Sequence, residues 1–306
     1  MLLAWVRVNG RAEDVVLPDP TRTWSRKYAV RLHLAHRFLR GDGIEVGAKS
    51  SPLFSKASFA AFARSCAHPF TLRLVDEMST EDLVRKYQGP SDKHRLWVNG
   101  IREYPVDVVD NIETLATFED ESLDFVIANH VLEHVRDFLG TLATIERALR
   151  VGGVAFFALP DRRFNAEDLQ RATTPAAHHL DSFRDATRLV HDHEGEVAGF
   201  AANRPVDLGE AAKVLASARK KIAAGMSSGS HLHTFTTESL AETLVTARKT
   251  GRLGLALVHL DQVANENIVL LRKVAGNCHG FFFGDTPEAL GPGCPARGTV
   301  QGTAYA

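Results

Sequence analysis

Strand-length apolar runs alternate with longer stretches of helical period through the first half of this chain. That alternation restricts the fold more than any other feature of the sequence. The runs are DGIEVG (42–47), FTLRLVD (70–76), PVDVVD (105–110), SLDFVIA (122–128) and GVAFFALP (153–160). Each has the length and the β-branched content of a buried strand. KYAVRLHLAHRFL, ahead of the first run, reads as a helix. Between the last two runs, VRDFLGTLATIERALRVGG carries Phe138, Leu139, Leu142, Ile145 and Leu149 as one helical stripe, predicted to close on Gly152-Gly153. A β-α-β rhythm of this kind gives a mostly parallel, doubly wound sheet with helices on both faces. Ligands of such sheets sit at the carboxyl ends of the strands, near the point where the strand order reverses. Later, FTTESLAETLVTARKTG (235–251) predicts a helix started by Thr236 or Thr237 and stopped by Gly251. LGLALVHLDQV and NENIVLLRK then predict two strands joined by a short turn at Ala264-Asn265, an antiparallel hairpin that ends the sheet.

Around this frame the sequence suggests three parts. Residues 1–26 read as an N-terminal extension, 27–273 as one α/β domain, and 274–306 as a Gly/Pro-rich tail in which only Phe281-Phe282-Phe283 offers something to dock. Inside the domain, 161–235 is rich in Arg, Asp, His and Ala, with one helix candidate at 208–225. Long segments of this kind in compact domains usually cover a binding site. Formal net charge is −1 and the chain is 44% hydrophobic and 24% charged, which gives no electrostatic footprint for nucleic acid or an anionic membrane. Cys66, Cys278 and Cys294 form no C-x-x-C pair, so neither a disulfide framework nor a cysteine zinc site is expected. MLLAWVRVNGRAEDVV meets charge too early for a signal-peptide core, and no apolar run approaches a membrane span. A cytoplasmic protein is expected, and the oligomeric state is not written in the sequence.

One pentapeptide asks a separate question. HVLEH (130–134) has the H-x-x-E-H pattern of inverted zinc peptidases, in which two His bind metal and the Glu activates water. Asn129 is expected to cap a helix whose first turn holds His130 and Glu133, and a spacing of four then puts His130 and His134 on one face and leaves metal geometry open. Yet HVLEH directly follows a strand of the parallel sheet, where a cofactor loop belongs. A second metal reading would join His178 or His179 to His191 and His193, although His clusters in loops are as often solvated.

Parallel strands followed by a terminal hairpin, with E-x-G after the first strand and L-E-H after the fourth, resemble the class I S-adenosylmethionine-dependent methyltransferases. The small-molecule branch, of the methyltransferase domain type 11 kind, is the nearest in pattern. The resemblance runs from about Lys27 to Lys273 and is carried by short motifs. It implies a Rossmann-like, seven-stranded α/β fold, S-adenosyl-L-methionine as cofactor and a small-molecule substrate, with no metal at HVLEH; that no nucleic acid or membrane partner is expected follows from the charge and hydropathy above. In GIEVGAKSSPL, Glu45 and Gly47 match the acidic-x-Gly turn, where glycine lets the backbone approach the methionyl portion. Ala48 continues the turn, and Lys49 stands where the family has a second glycine; its ammonium suits the cofactor's carboxylate. Asp76 falls where a carboxylate accepts both ribose hydroxyls. Asp110, Asn111 and Ile112 fall at the adenine position, Asp110 or the nearby backbone for the amino group and Ile112 for the ring. Asn129 and His130 would line the methionyl side, with Glu133 and His134 orienting the loop. TTPAAHHLDSF (173–183) and HLHTFT (231–236) resemble segments that flank the substrate pocket, and Asp161 to Arg163 begin that side.

Methyl transfer from a sulfonium is an in-line displacement, so the protein supplies proximity, alignment and exclusion of water. A hydroxyl acceptor, sugar-like or natural-product-like, is the first expectation, and it gains from a general base of near-neutral pKa. The ranked candidates are His179, His233 and His134. Three other readings compete. A fold relative with a degenerate cofactor loop would act without transferring methyl, as Lys49 allows. A zinc hydrolase would use His130, Glu133 and His134. A nicotinamide dehydrogenase is disfavoured, because no G-x-G-x-x-G follows the first strand.

Overall fold

The computed structural model describes residues 3–8, 11–16, 25–56, 58–60, 70–165, 168–169, 171–183, 231–275 and isolated positions between 212 and 229. The tail, Phe281–283, the three cysteines, His191, His193 and most of the helix candidate at 208–225 lie outside the described residues.

Nine strands and six helices carry the described fold. A small antiparallel pair, β1 (Leu3–Val8) and β2 (Arg11–Val16), occupies the segment read as an extension. The main sheet contains β3 (Gly41–Val46), β4 (Phe70–Asp76), β5 (Val108–Val109), β6 (Leu123–Asn129), β7 (Leu149–Pro160), β8 (Leu255–Val263) and β9 (Glu266–Lys273). Its order is β5-β4-β3-β6-β7-β9-β8. The pairs β5-β4, β4-β3, β3-β6 and β6-β7 are parallel, while β7-β9 and β9-β8 are antiparallel. From β3 the chain first winds outward to β4 and β5, then returns to build β6 and β7 on the other side. The carboxyl ends of β3 and β6 therefore flank the switch point at which such sheets bind ligands.

Period-two alternation inside continuous apolar runs builds a core on each face. Phe125, Ile127, Phe156 and Ala158 face one side, against Ala29, Val30 and Leu34 of α1 (Arg26–Phe38). Val126, Ala128, Ala155 and Phe157 face the other. There they meet Leu139 and Leu142 of α4 (Phe138–Ala148) and Leu240 and Leu244 of α6 (Thr237–Lys249). The remaining helices are α2 (Thr80–Tyr87), α3 (Asp92–Glu103) and the short α5 (Ala176–Asp181).

Several sequence-based boundaries move. The helix predicted to close on Gly152-Gly153 ends at Ala148, and both glycines lie inside β7, which begins at Leu149. The run 105–110 pairs only at Val108–Val109. It is an edge strand, and the flanking N–H groups of Asp107 and Asp110 bond to Leu74 and Asp76 before the chain turns away. Thr236 is the cap that starts α6, with a reciprocal bond to Ser239. The larger revision concerns HVLEH. Asn129 does not cap a helix but ends β6, His130 is left-handed at φ 55°, and Leu132–His134 form one 3₁₀ turn. The next helix starts only at Phe138, capped by Asp137. With no helix between Asn129 and Asp137 beyond that single turn, His130 and His134 share no helical face.

Candidate active site

The first βα turn is shaped by two residues in the left-handed region. Gly47 has φ 67°, and its N–H donates to the Val75 carbonyl at 2.9 Å. A Cβ at this position would lie 2.7 Å from Val131 Cγ2, so the absence of a side chain lets the turn approach the HVLEH loop. Lys49 has φ 49°, which explains physically why the family pattern has glycine there. The lysine adopts that backbone regardless, with its ammonium 5.5 Å from the centre of the Tyr87 ring. Glu45 is buried beneath the turn, and its carboxylate accepts the Leu53 N–H at 2.8 and 3.0 Å. Burial pushes its pKa up, against the opposing pull of that N–H, to about 8. Glu45 holds the turn from behind and does not face the cavity it forms.

That cavity, of about 370 Å³, opens at the carboxyl ends of β3, β4 and β6. Gly47, Lys49, Asp76, Asp110, Asn111, Ile112 and His130 line it, as does His134. Ala48, Asn129 and Glu133, expected there, do not. Asp76 ends β4 nearly buried, with one carboxylate oxygen accepting the Met78 N–H at 3.1 Å. Burial raises its pKa above the ordinary carboxylate value, more than that hydrogen bond and Lys49 lower it. Asp110 is different. Its oxygens accept from the N–H groups of Asn111, Ala116 and Thr117 and from the Thr117 hydroxyl, at 2.6 to 3.2 Å. A carboxylate has about four acceptor positions, so this loop consumes all of them. Burial opposes the resulting downward pKa shift without cancelling it. Sequence reasoning missed Glu77, Leu83, Lys86 and Tyr87, which complete the wall from β4's end and α2. The apolar and basic spacing of TEDLVRKY was the available signal.

The HVLEH loop is anchored by charge. His130 places Nε2 3.0 Å from Glu266 on β9 and Nδ1 3.4 Å from Glu133. Arg31 of α1 grips the same Glu266, its Nε donating to Oε1 at 2.7 Å. Burial disfavours a charged imidazole here, but the contacts with Glu133 and Glu266 outweigh it and raise the His130 pKa to about 9. Glu133 is buried; burial alone would raise its pKa, yet His130, His134 and His231 together hold the carboxylate ionised. A second, more open cavity of about 460 Å³ adjoins the first, sharing Lys49, His130 and His134 and adding Glu133, Phe164, Asn165 and His231.

Of the three histidines ranked as bases, only His134 faces these cavities. His179 and His233 are each 2% exposed, packed on Phe138 and Phe235 inside the core, and line neither cavity. Asp161 is likewise fully buried, tied to Arg163 and to the start of α6. The histidine that does reach the site is His231, whose ring centre lies 4.9 Å from that of His134. Its Nδ1 is 2.7 Å from Asp168. In HLHTFT the choice between positions 231 and 233 had no periodicity to guide it. The N–H groups of Leu232 and His233 both turn to the Glu133 carbonyl, at 2.7 and 3.2 Å, so strand alternation does not hold there.

Residues 73–244 match the family model described as a methyltransferase domain, which is more than half of the chain. The chain belongs to this family. It is an S-adenosylmethionine-dependent methyltransferase of class I, with the Rossmann-like sheet of that class. Among solved structures it is similar to an S-adenosylmethionine-dependent methyltransferase from Aquifex aeolicus at 10% identity and a TM-score of 0.40, covering 79% of this chain and 87% of that one. It is also similar to one from Methanosarcina mazei at 15% identity and a TM-score of 0.39, covering 79% and 97%. No curated protein matches the chain in sequence. The cavity suits the methyltransferase's cofactor on its own terms. It joins a side-chain-free turn at Gly47, an acidic wall at Asp76 and an apolar surface at Ile112, as a methionyl, ribose and adenine chain requires. No helix among the described residues is long and apolar enough to cross a membrane.

Proposed function

We propose that this methyltransferase modifies a hydroxyl of a small, sugar-like or natural-product-like acceptor bound in the second cavity. The observation that supports this is the junction of two cavities at Lys49, His130 and His134, beside the switch point of the sheet. The second cavity is the more polar in its residues, which suits a hydroxylated ligand better than an apolar one. In this reading Gly47 and Lys49 hold the methionyl end of the cofactor, and the Asp76 carboxylate accepts the ribose hydroxyls. Ile112 packs on the adenine. The Asn111-Ile112 backbone reads the adenine edge, because the Asp110 carboxylate is already filled by its own loop.

When bound, the cofactor supplies an electrophilic methyl group on a sulfonium. The chain's own work is alignment, exclusion of water and management of one proton. His134 lies at the junction and takes the proton of the acceptor hydroxyl as the methyl group is received. His130, with Nδ1 3.4 Å from Glu133 and Nε2 between Glu266 at 3.0 Å and Arg31 Nη2 at 2.9 Å, fixes the loop; with both ring nitrogens engaged it is poorly suited to accept a proton. Glu45 acts through the backbone it holds, and Glu133 through its contact with His130. The site is tested by Asp76→Ala. Losing charge-assisted hydrogen bonds to the ribose is expected to weaken S-adenosylhomocysteine binding by roughly tenfold or more. Unchanged affinity in calorimetry removes Asp76 from the site. For the acceptor, a panel of hydroxylated and amino small molecules assayed with methyl-labelled cofactor should yield methyl ethers; methylamines alone would refute the hydroxyl assignment.

A further inference from the structure

A second kind of site is built beside the first cavity from the HVLEH loop and a histidine almost a hundred residues later. Glu133, His134 and His231 each present one ligand atom, and these atoms lie within 4.8 Å of one another. Three features show that the cluster is held together. The Leu232 and His233 N–H groups bond to the Glu133 carbonyl, which fastens the 231–233 segment to the HVLEH loop. Arg171 donates to the carbonyls of His231 and Leu232 at 2.8 and 3.4 Å and to Asp168 at 3.1 Å, fixing that segment from behind. Asp168, 1% exposed, engages His231 at Nδ1, so ligation falls to Nε2. A buried carboxylate on the distal ring nitrogen is the arrangement that orients metal-bound histidines and raises their basicity.

The Glu133 carboxylate is the second independent sign. It is 1% exposed, and neither oxygen makes a hydrogen bond among the described residues. Its side-chain contacts are with imidazoles, His130 Nδ1 at 3.4 Å and His134 Nε2 at 3.9 Å. A buried carboxylate whose oxygens make no hydrogen bond keeps both of them available to a cation. We infer that Glu133, His134 and His231 form a site for one divalent transition-metal ion of the zinc class, with Asp168 as the residue that positions His231. Two imidazoles and one carboxylate are the donor set of three-ligand zinc sites that keep a fourth position open. Ligand atoms of such an ion lie closer together than 4.8 Å, so small side-chain rotations must accompany binding. The open position faces the second cavity, where an oxygen ligand could complete the coordination. This is a different set from the H-x-x-E-H pattern, for His130 is taken by Glu266 and its place is filled by His231. The inference does not depend on methyl transfer or on the acceptor, and His134 serves as the base of the proposed reaction only in the metal-free chain.

The test uses the full chain, stripped with chelator, then titrated with Co²⁺ followed by Zn²⁺ competition. One equivalent of Co²⁺ should bind, with the intense visible absorption of low coordination number, and Zn²⁺ should displace it. Asp168→Asn should weaken Co²⁺ affinity by roughly ten- to a hundredfold, the usual effect of removing a carboxylate behind a metal-bound histidine. His231→Ala should abolish the absorption band, and His36→Gln, on the outside of α1, should leave it intact. S-adenosylhomocysteine binding by each variant, measured without metal, reports whether the fold and the cofactor cavity survive. Absence of the absorption band in the wild-type chain overturns the inference. So does a band that His231→Ala and His36→Gln leave equally unchanged.

Discussion

Gly47→Ala probes the contact on which the cofactor cavity depends. The added Cβ acts twice. It forces an L-residue to φ 67°, which costs about 1–2 kcal/mol. It also arrives 2.7 Å from Val131 Cγ2, an overlap that must be relieved by moving the HVLEH loop or the turn, for roughly 1–3 kcal/mol more. The expected destabilisation is therefore about 2–5 kcal/mol, a large share of the 5–15 kcal/mol typical of a domain. Only the second contribution involves Val131. In a double-mutant cycle, Val131→Ala should relieve the overlap and leave the backbone penalty untouched. The two changes together should then cost less than their sum, by roughly 1–3 kcal/mol. Urea denaturation of the four proteins without cofactor gives the stabilities, and calorimetry with S-adenosylhomocysteine gives the site. Gly47→Ala should weaken the ligand, with partial recovery in the double variant. Additivity to within about 0.5 kcal/mol would refute the close approach of turn and loop.

Two further perturbations follow from the same turn. Lys49→Gly removes a left-handed L-residue and should stabilise the free protein by about 1 kcal/mol in urea denaturation, while weakening S-adenosylhomocysteine through loss of the ammonium. A stabilised variant with unaltered ligand affinity would remove Lys49 from the methionyl end. Glu45 carries a pH signature. Its folded pKa of about 8 lies above the unfolded carboxylate value, so above about pH 4.5 the unfolded chain releases a proton that the folded chain keeps. The stability associated with this group is full below the unfolded pKa and is lost as pH rises toward 8. Glu45→Gln should flatten the fall in stability over that window, and a slope that the substitution leaves unchanged would show that Glu45 is ionised in the folded protein.

The sheet was legible because both of its faces are apolar. Runs such as GVAFFALP read as strands whatever surrounds them, and the terminal hairpin was marked by a turn at Ala264-Asn265. Boundaries failed where two signals overlapped. Gly152-Gly153 looks like a helix stop in sequence, but α4 has already ended at Ala148 and the glycines lie within the strand that begins at Leu149. The HVLEH loop failed for a related reason: its letters fit a helical face, while the backbone at His130 is left-handed and the helix is postponed to Phe138. At the cavity, residues tied to a turn or a strand end were found, among them Gly47, Asp76 and Ile112. What sequence could not weigh was which carboxylates are already occupied. Asp110 is filled by four donors of its own loop, and Glu45 faces inward to Leu53. Nor could it tell His231 from His233, because that choice is made by the Glu133 carbonyl, a residue almost a hundred positions earlier.

The most direct test of the whole account is calorimetric titration of the wild-type chain with S-adenosylhomocysteine and S-adenosylmethionine. The cavity at the ends of β3, β4 and β6 predicts one site per chain for each, filled at micromolar concentrations and weakened by Gly47→Ala and Asp76→Ala. Absence of heat from either ligand up to high micromolar concentration, with a chain shown to be folded, would contradict it.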